Sequence, residues 1–263
     1  MNFESMKAVI IGAGNVGTHM ALALHNEGVK IIQIASRSMK NAVELASKMQ
    51  CSFTTDLDQI RKDADIYFVC VSDDAVQQVI RQLDLGEKLI IHTSGSVDID
   101  VFYDNAQNYG VMYPMQTFSK FKEINYAEIP VFIEANSNEN EIVLYNFIKK
   151  ISPKVTVANS QQRRILHLCA VIASNFTNHM CTLAEMLLKE NQLSFDTFKP
   201  LMRETLDKIM KYSPYESQTG PAVRHDEQIV NKHIEVLDAF PQIQEVYKTL
   251  SNSIMQTHKK VEK

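Results

Sequence analysis

Val9-Ile10-Ile11-Gly12-Ala13-Gly14-Asn15-Val16-Gly17 is the stretch whose reading decides the fold of this 263-residue chain. A short apolar run of buried-strand type enters a glycine turn. Beyond the turn, Val16, Met20, Ala23 and Leu24 recur at helical spacing. Strand, G-x-G-x-x-G turn and helix in that order form the context this motif needs to hold a dinucleotide. Gly12 suits the tight turn, Gly14 a close approach of backbone to pyrophosphate, and Gly17 close packing of helix on strand. The first helical turn, at Asn15 and Val16, presents free N–H groups and the positive end of the helix dipole. The plainer alternative is a glycine turn in an α/β protein that binds nothing.

Outward from this stretch, strands and helices alternate. Residues 30–35 read as a second strand and residues 39–49 as a helix, with Gly28 capping the helix that starts at residue 15. Asp65 to Val71 reads as a strand, Ala75 to Leu83 as a helix and Lys88 to His92 as a strand. The alternation predicts βαβ units and a mostly parallel sheet of Rossmann type. Val111–Tyr113, Val131–Ile133 and Val155–Val157 are candidate strands, with a helix over 139–150. From Gln161 onward no strand pattern remains. Helices are predicted over 161–190, 195–211, 226–239 and 241–260, punctuated by Pro214, Gly220, Pro221 and Pro241. The expected domains are therefore 1–157, a nucleotide-binding α/β half, and 158–263, an all-helical half.

Composition narrows the class. A net charge of −4 without a basic block speaks against nucleic acid or an anionic membrane as partner. No apolar run reaches the ~20 residues of a membrane span. The stretch from Met1 to Lys7 carries Glu4 and no leader-like apolar segment, so a cytoplasmic protein is expected. Cys51, Cys70, Cys169 and Cys181 lack paired spacing and read as reduced core thiols; no metal site is expected.

The second strand ends Ala35-Ser36-Arg37-Ser38, with no carboxylate to accept from a ribose 2′-hydroxyl. Arg37 can pair with a 2′-phosphate, and Ser36 and Ser38 can donate to it, which selects NADP over NAD. Val71-Ser72-Asp73 ends a later strand, where ribose or nicotinamide would lie. Asp73 serves equally as an N-cap. His92-Thr93-Ser94-Gly95-Ser96 ends the next strand on the same edge, with Ser94 and Gly95 as substrate contacts or simply as a turn. Gln116, within Tyr113-Pro114-Met115-Gln116-Thr117-Phe118, is a further pocket candidate.

At about 100° per residue, apolar side chains cover most of the 161–190 helix, which predicts burial. His167, Ser174, Asn175, Asn178, Thr182 and Glu185 fall on one arc, interrupted by Val171. A polar stripe on a buried helix calls for a cleft, water or a partner. His167 suits proton donation as hydride arrives, and Asn175 and Asn178 suit substrate orientation. An ordinary solvent-facing side is the alternative. In the loop Gly220-Pro221-Ala222-Val223-Arg224-His225-Asp226, Arg224 suits an anionic substrate group and Asp226 a helix N-cap; alternatively the two pair with each other.

The N-terminal half resembles the NADP-binding domain of pyrroline-5-carboxylate reductases and deazaflavin-dependent NADP oxidoreductases. With His-Thr-Ser-Gly-Ser (92–96), Tyr-Pro-Met-Gln-Thr-Phe (113–118), Ala-Ser-Asn-Phe (173–176) and Gly-Pro-Ala-Val-Arg-His-Asp (220–226), the whole chain is similar to a narrower bacterial family. Its members join a Rossmann-like domain to a helical domain of unknown function and are called NADP oxidoreductases. The helical half resembles the C-terminal domain of the 6-phosphogluconate dehydrogenase superfamily. That resemblance implies a homodimer through the helical half and a substrate held between the halves. Many of its hydroxyacid dehydrogenases carry a Lys on the first long helix. Here no Lys lies between Val157 and Thr182, and His167 and Asn175 are the nearest substitutes. The expected activity is hydride transfer between NADP(H) and a small carbonyl or imine. The alternative is a non-catalytic NADP-binding sensor or partner-binding protein.

Overall fold

The computed structural model describes residues 6–258. The N-terminal residues 1–5, and residues 259 and 260 of the last predicted helix, lie outside them. Two compact units divide the chain, Met1–Ala173 and Ser174–Lys263.

The first unit is built on an eight-stranded sheet in the order β3-β2-β1-β4-β5-β6-β7-β8. The strands are β1 (Lys7–Ile11), β2 (Lys30–Ala35), β3 (Ser52–Thr54), β4 (Ile66–Val69), β5 (Leu89–His92), β6 (Asn108–Pro114), β7 (Val131–Ala135) and β8 (Val155–Val157). Every neighbouring pair is parallel except β6 with β7. The interleaved helices are α1 (Asn15–Asn26), α2 (Met39–Met49), α3 (Asp73–Gln82) and α4 (Asn138–Ile151). The Rossmann-type sheet read from the alternation is therefore present. β3 was not foreseen, because Ser52-Phe53-Thr54 is short and carries a single apolar residue. Gly28 follows α1 with φ +84, the left-handed geometry that ends a helix.

The central strands are apolar along their whole length because each face is covered. Ala8 and Ile10 of β1, with Ile66 and Phe68 of β4, join the core under α1, α2 and α4. Val9 and Ile11, with Tyr67 and Val69, join the core under α3. Strand order reverses at β1, with β2 on one side and β4 on the other. In such sheets this switch point leaves a crevice beyond the carboxyl ends of the strands.

After β8, α5 (Ser160–Ala170) opens on a capping box formed by Asn159 and Gln162. Wide π-helical turns follow at Val171–Phe176, then α6 (Thr177–Glu190). The helix expected over 161–190 is thus continuous but not regular. A π insertion adds about one residue, so it rotates everything after it by roughly 100° against a uniform wheel. His167 and the later polar residues therefore do not share the arc that the uniform wheel assigns them. The expectation of burial also fails for this chain by itself. Ile165, Leu168, Ile172 and Phe176 are each more than half exposed, and Cys169 is exposed rather than a core thiol.

The second unit continues with α7 (Lys199–Lys211), a single-turn α8 (Pro214–Ser217), α9 (Glu227–Val236) and α10 (Pro241–Thr257). Residues 195–198 are a 3₁₀ turn, so the helix expected from 195 starts properly at Lys199. No helix of the described residues is long and apolar enough to cross a membrane.

Candidate functional site

β1 delivers the chain into the turn, and two backbone bonds clamp it there. Gly12 N donates to Ala35 O at 2.7 Å, and Cys70 N donates to Ile11 O at 2.7 Å. Gly12 has φ +110, and a Cβ on it would lie 2.2 Å from the Cys70 carbonyl oxygen. Gly17 is equally constrained by protein, since its Cβ would lie 1.8 Å from the Gly12 carbonyl oxygen. Gly14 differs. Its backbone is extended (φ −81, ψ −163), and a Cβ would meet no atom within 4 Å. Neither conformation nor packing against this chain requires glycine at 14. Gly14 is also the N-cap of α1 and offers no side-chain cap, which leaves the N–H groups at Asn15 and Val16 without one.

The crevice beside this turn is about 850 Å³. Gly12 and Gly14 line one wall, Ser36, Arg37 and Ser38 the end of β2, and Val71 and Ser72 the end of β4. Asn41, Thr55, Asp56 and Gln78, which the sequence did not suggest, are among the other lining residues. The strand pairing of β3 brings in Thr55 and Asp56, hence they were invisible without it. Arg37 is exposed and forms no ion pair among the described residues. Ser36 Oγ accepts from Ser38 N, and Ser38 Oγ caps α2 by accepting from Asn41 N. Each of these serines therefore keeps its hydroxyl proton to donate.

Asn15, Val16, Gly17 and Asp73 do not line the crevice. Ser72, not Asp73, occupies the N-cap position of α3. The Asp73 carboxylate instead accepts from the Ser96 hydroxyl, tying the start of α3 to the loop after β5.

That loop holds the second group of candidates. Ser94 is buried, and its Oγ accepts from Ser96 N and Val97 N at 3.1 and 3.0 Å. His92 Nδ1 accepts from Ser94 N at 3.2 Å. Burial first, and then the Arg163 guanidinium, hold His92 at a pKa of about 3, so it is neutral near pH 7. Beside Gly95 stand Tyr113 of β6 and His167 of α5, with the Tyr113 hydroxyl 3.2 Å from His167 Nδ1. This pairing was not legible in the sequence, where the two residues are 54 positions apart. Burial, and secondarily Asp73, raise the Tyr113 phenol above its ordinary pKa.

One turn before His167, Arg163 is fully buried. It is bonded to Glu134 of β7, to the Val97 carbonyl and to Ser160 Oγ. Ser160 Oγ in turn donates to Glu134 at 2.7 Å and accepts from Ile99 N at 3.1 Å. α5 is thereby locked to the sheet and to the loop after β5.

The remaining candidates lie elsewhere. Gln116 is exposed, with its amide oxygen accepting from Thr117 N at 2.7 Å; it lines a separate depression of about 320 Å³. In the second unit, Asn175 and Asn178 are exposed. Arg224 is also exposed and is not paired with Asp226. Asp226 caps α9 by accepting from Ile229 N at 3.2 Å.

Two known families match successive parts of the chain, and the second match begins within the first unit. Residues 7–95 match the family described as "NADP oxidoreductase coenzyme F420-dependent", and residues 129–254 a "domain of unknown function (DUF2520)". A structure from Bacteroides fragilis, titled a "putative NADP oxidoreductase", is 41% identical. The alignment covers 97% of this chain and 100% of that one, with a TM-score of 0.90. The chain belongs to this NADP oxidoreductase family. Its cofactor is NADP. The fold is shared with an imine reductase from Myxococcus stipitatus in complex with NADP+ (14% identity, 95% and 92% coverage, TM-score 0.63). It is shared too with a 1-pyrroline-5-carboxylate reductase from Streptococcus pyogenes (11%, 96% and 99%, 0.63). Curated relatives include a glutamyl-tRNA reductase of Saccharolobus islandicus, 40% identical over 72 residues. That match takes in 27% of this chain and 17% of the relative, so the chain spans about a sixth of that protein's length.

Proposed function

We propose that this protein reduces a small carbonyl or imine compound with NADPH, and that His167 supplies the proton. The observation that carries the reading is the His167–Tyr113 pair beside Ser94 and Gly95. It stands on the same carboxyl edge of the sheet as the glycine turn.

Gly12, Gly14 and the first turn of α1 would hold the pyrophosphate through backbone N–H groups. Arg37, Ser36 and Ser38 would hold the 2′-phosphate, and Val71 and Ser72 the ribose and nicotinamide side. When bound, NADPH supplies the hydride. The chain supplies the rest. Ser94 accepts two amides and turns its hydroxyl proton toward Ser96 Oγ at 3.4 Å, since the Ser96 proton goes to Asp73; a substrate oxygen or nitrogen would take the place of that long bond. As negative charge develops on that atom, His167 gives it the proton of one ring nitrogen while the other takes the phenol proton of Tyr113, so the ring stays neutral and the phenolate is reprotonated from water. Hydride on carbon and proton on oxygen or nitrogen together yield the alcohol or amine.

The exposed apolar residues Ile165, Leu168, Ile172 and Phe176 support a homodimer that buries this helix. A second reading, an NADP-binding sensor without turnover, is favoured by the lack of Lys between Val157 and Thr182.

The test is an NADPH-oxidation screen over small keto acids, aldehydes and cyclic imines. Turnover that survives in His167→Ala would remove His167 from the chemistry. NADPH binding without turnover on any member would favour the sensor.

A further inference from the structure

We infer that Tyr113 is a positioning residue for His167: its hydroxyl holds the imidazole with Nδ1 as acceptor, which leaves Nε2 as the protonated nitrogen facing the reaction. This deepens the role proposed for His167 and rests on it.

Four elements converge on the imidazole. Tyr113, next to last in β6, meets it edge to face, with ring centroids 5.8 Å apart and planes at 74°. Phe132 of β7 backs the Tyr113 ring at 6.3 Å, nearly parallel to it. Arg163 anchors the preceding turn of α5 through Glu134, Ser160 and Val97. Gly95 closes the last side. A Cβ there would lie 2.8 Å from Tyr113 Cε2 and 2.9 Å from His167 Nδ1, so only glycine admits both rings.

The direction of the hydrogen bond follows from the groups. Among the described residues the Tyr113 hydroxyl has no other acceptor, so its proton is given to Nδ1. A neutral imidazole offers one donor and one acceptor nitrogen, and the partner decides which is which. With the phenol at 3.2 Å from Nδ1, Nδ1 accepts and the proton resides on Nε2. A ring of mere packing value would place no such demand on Nδ1, and phenylalanine would serve as well.

The experiment labels the histidines of the full chain with ¹⁵N and reads tautomers from two-bond ¹H–¹⁵N correlations, with His167 assigned by its loss in His167→Gln. Wild type should show Nδ1 unprotonated and Nε2 protonated. Tyr113→Phe and, separately, Gly95→Ala should shift His167 to a mixture of tautomers. A retained NADPH-induced thermal shift establishes that each variant is folded. Where a variant fails to fold, the wild-type spectrum still decides. Nδ1 protonated in wild type, or an unchanged His167 pattern in folded Tyr113→Phe, overturns the inference. With a substrate from the screen in hand, Tyr113→Phe should lower kcat roughly tenfold, the scale of one lost hydrogen bond. KM for NADPH should stay within about twofold. A tautomer set by Tyr113 in a protein with no turnover supports this inference while overturning the reductase reading.

Discussion

Gly14 and Gly17 are three residues apart in one motif, yet alanine should act on them in opposite ways. A methyl at 17 would sit 1.8 Å from the Gly12 carbonyl oxygen and 3.2 Å from Cys70 Cβ. To reach an ordinary contact of about 3.4 Å, helix and turn must part by about 1.6 Å. The obstacle is backbone pinned by the bonds to Ala35 and Ile11, so it yields only if those bonds distort. Overpacking of this kind costs about 3 kcal/mol. For a protein of this size that corresponds to a fall in Tm of about 6–12 °C. At 14 the methyl meets nothing within 4 Å. The N-cap preference lost is about 0.5–1 kcal/mol. The gain from a stiffer unfolded chain is similar and of opposite sign, about 0.4–1 kcal/mol. Gly14→Ala should therefore leave the ligand-free Tm within about 2 °C of wild type. Its effect should fall on NADPH. A tenfold rise in Kd removes about 1.4 kcal/mol of ligand-induced stabilisation at fixed NADPH. That takes about 3–6 °C from the thermal shift. Differential scanning fluorimetry of both variants, with and without NADPH, reads all four quantities. The reasoning is refuted if Gly14→Ala lowers the ligand-free Tm as much as Gly17→Ala, or if it binds NADPH like wild type.

Three further predictions follow from particular side chains. Arg37→Glu should weaken NADPH roughly tenfold or more and leave NADH within about threefold, because only the 2′-phosphate meets that position. Titration of both cofactors checks it, and unchanged NADPH affinity removes Arg37 from the site. Arg163→Ala leaves Glu134 without its buried partner and should cost about 3–5 kcal/mol by urea unfolding, whereas an exposed pair such as Lys48–Glu44 should cost under about 1. His92 is held at a pKa of about 3, below the ordinary 6.5. Between those values the unfolded chain binds the extra proton, so stability is fully present above pH 6.5 and falls as pH drops toward 3. The slope from this group reaches about 1.4 kcal/mol per pH unit. His92→Gln should flatten that part of a Tm-against-pH curve; an unchanged slope would assign the acid sensitivity to other groups.

How much was legible depended on the range of the interactions. The glycine turn, the strand ends and the caps at Gly28 and Asp226 are local, and neighbouring residues state them. The role of Asp73 was not, because its partner Ser96 lies across two strands. Nor was the phase of the long helix. The wheel assumes one pitch, and the π turns at 171–176 break it without any proline or glycine to announce the change. Gln116 looked available, but its oxygen turns onto its own loop.

By itself the sequence determined a Rossmann-type sheet with a helical second half and the glycine turn, and it raised the expectation of NADP from Ser36, Arg37 and Ser38. Those depend on periodicity and on the chemistry of a few adjacent residues. Only the tertiary structure decided that Gly14 is free of its own protein while Gly17 is not. It alone brought Thr55 and Asp56 to the crevice through β3, and set Tyr113 against His167 beside Gly95. Contacts between residues tens of positions apart are made by strand order and helix docking, and no local pattern records them.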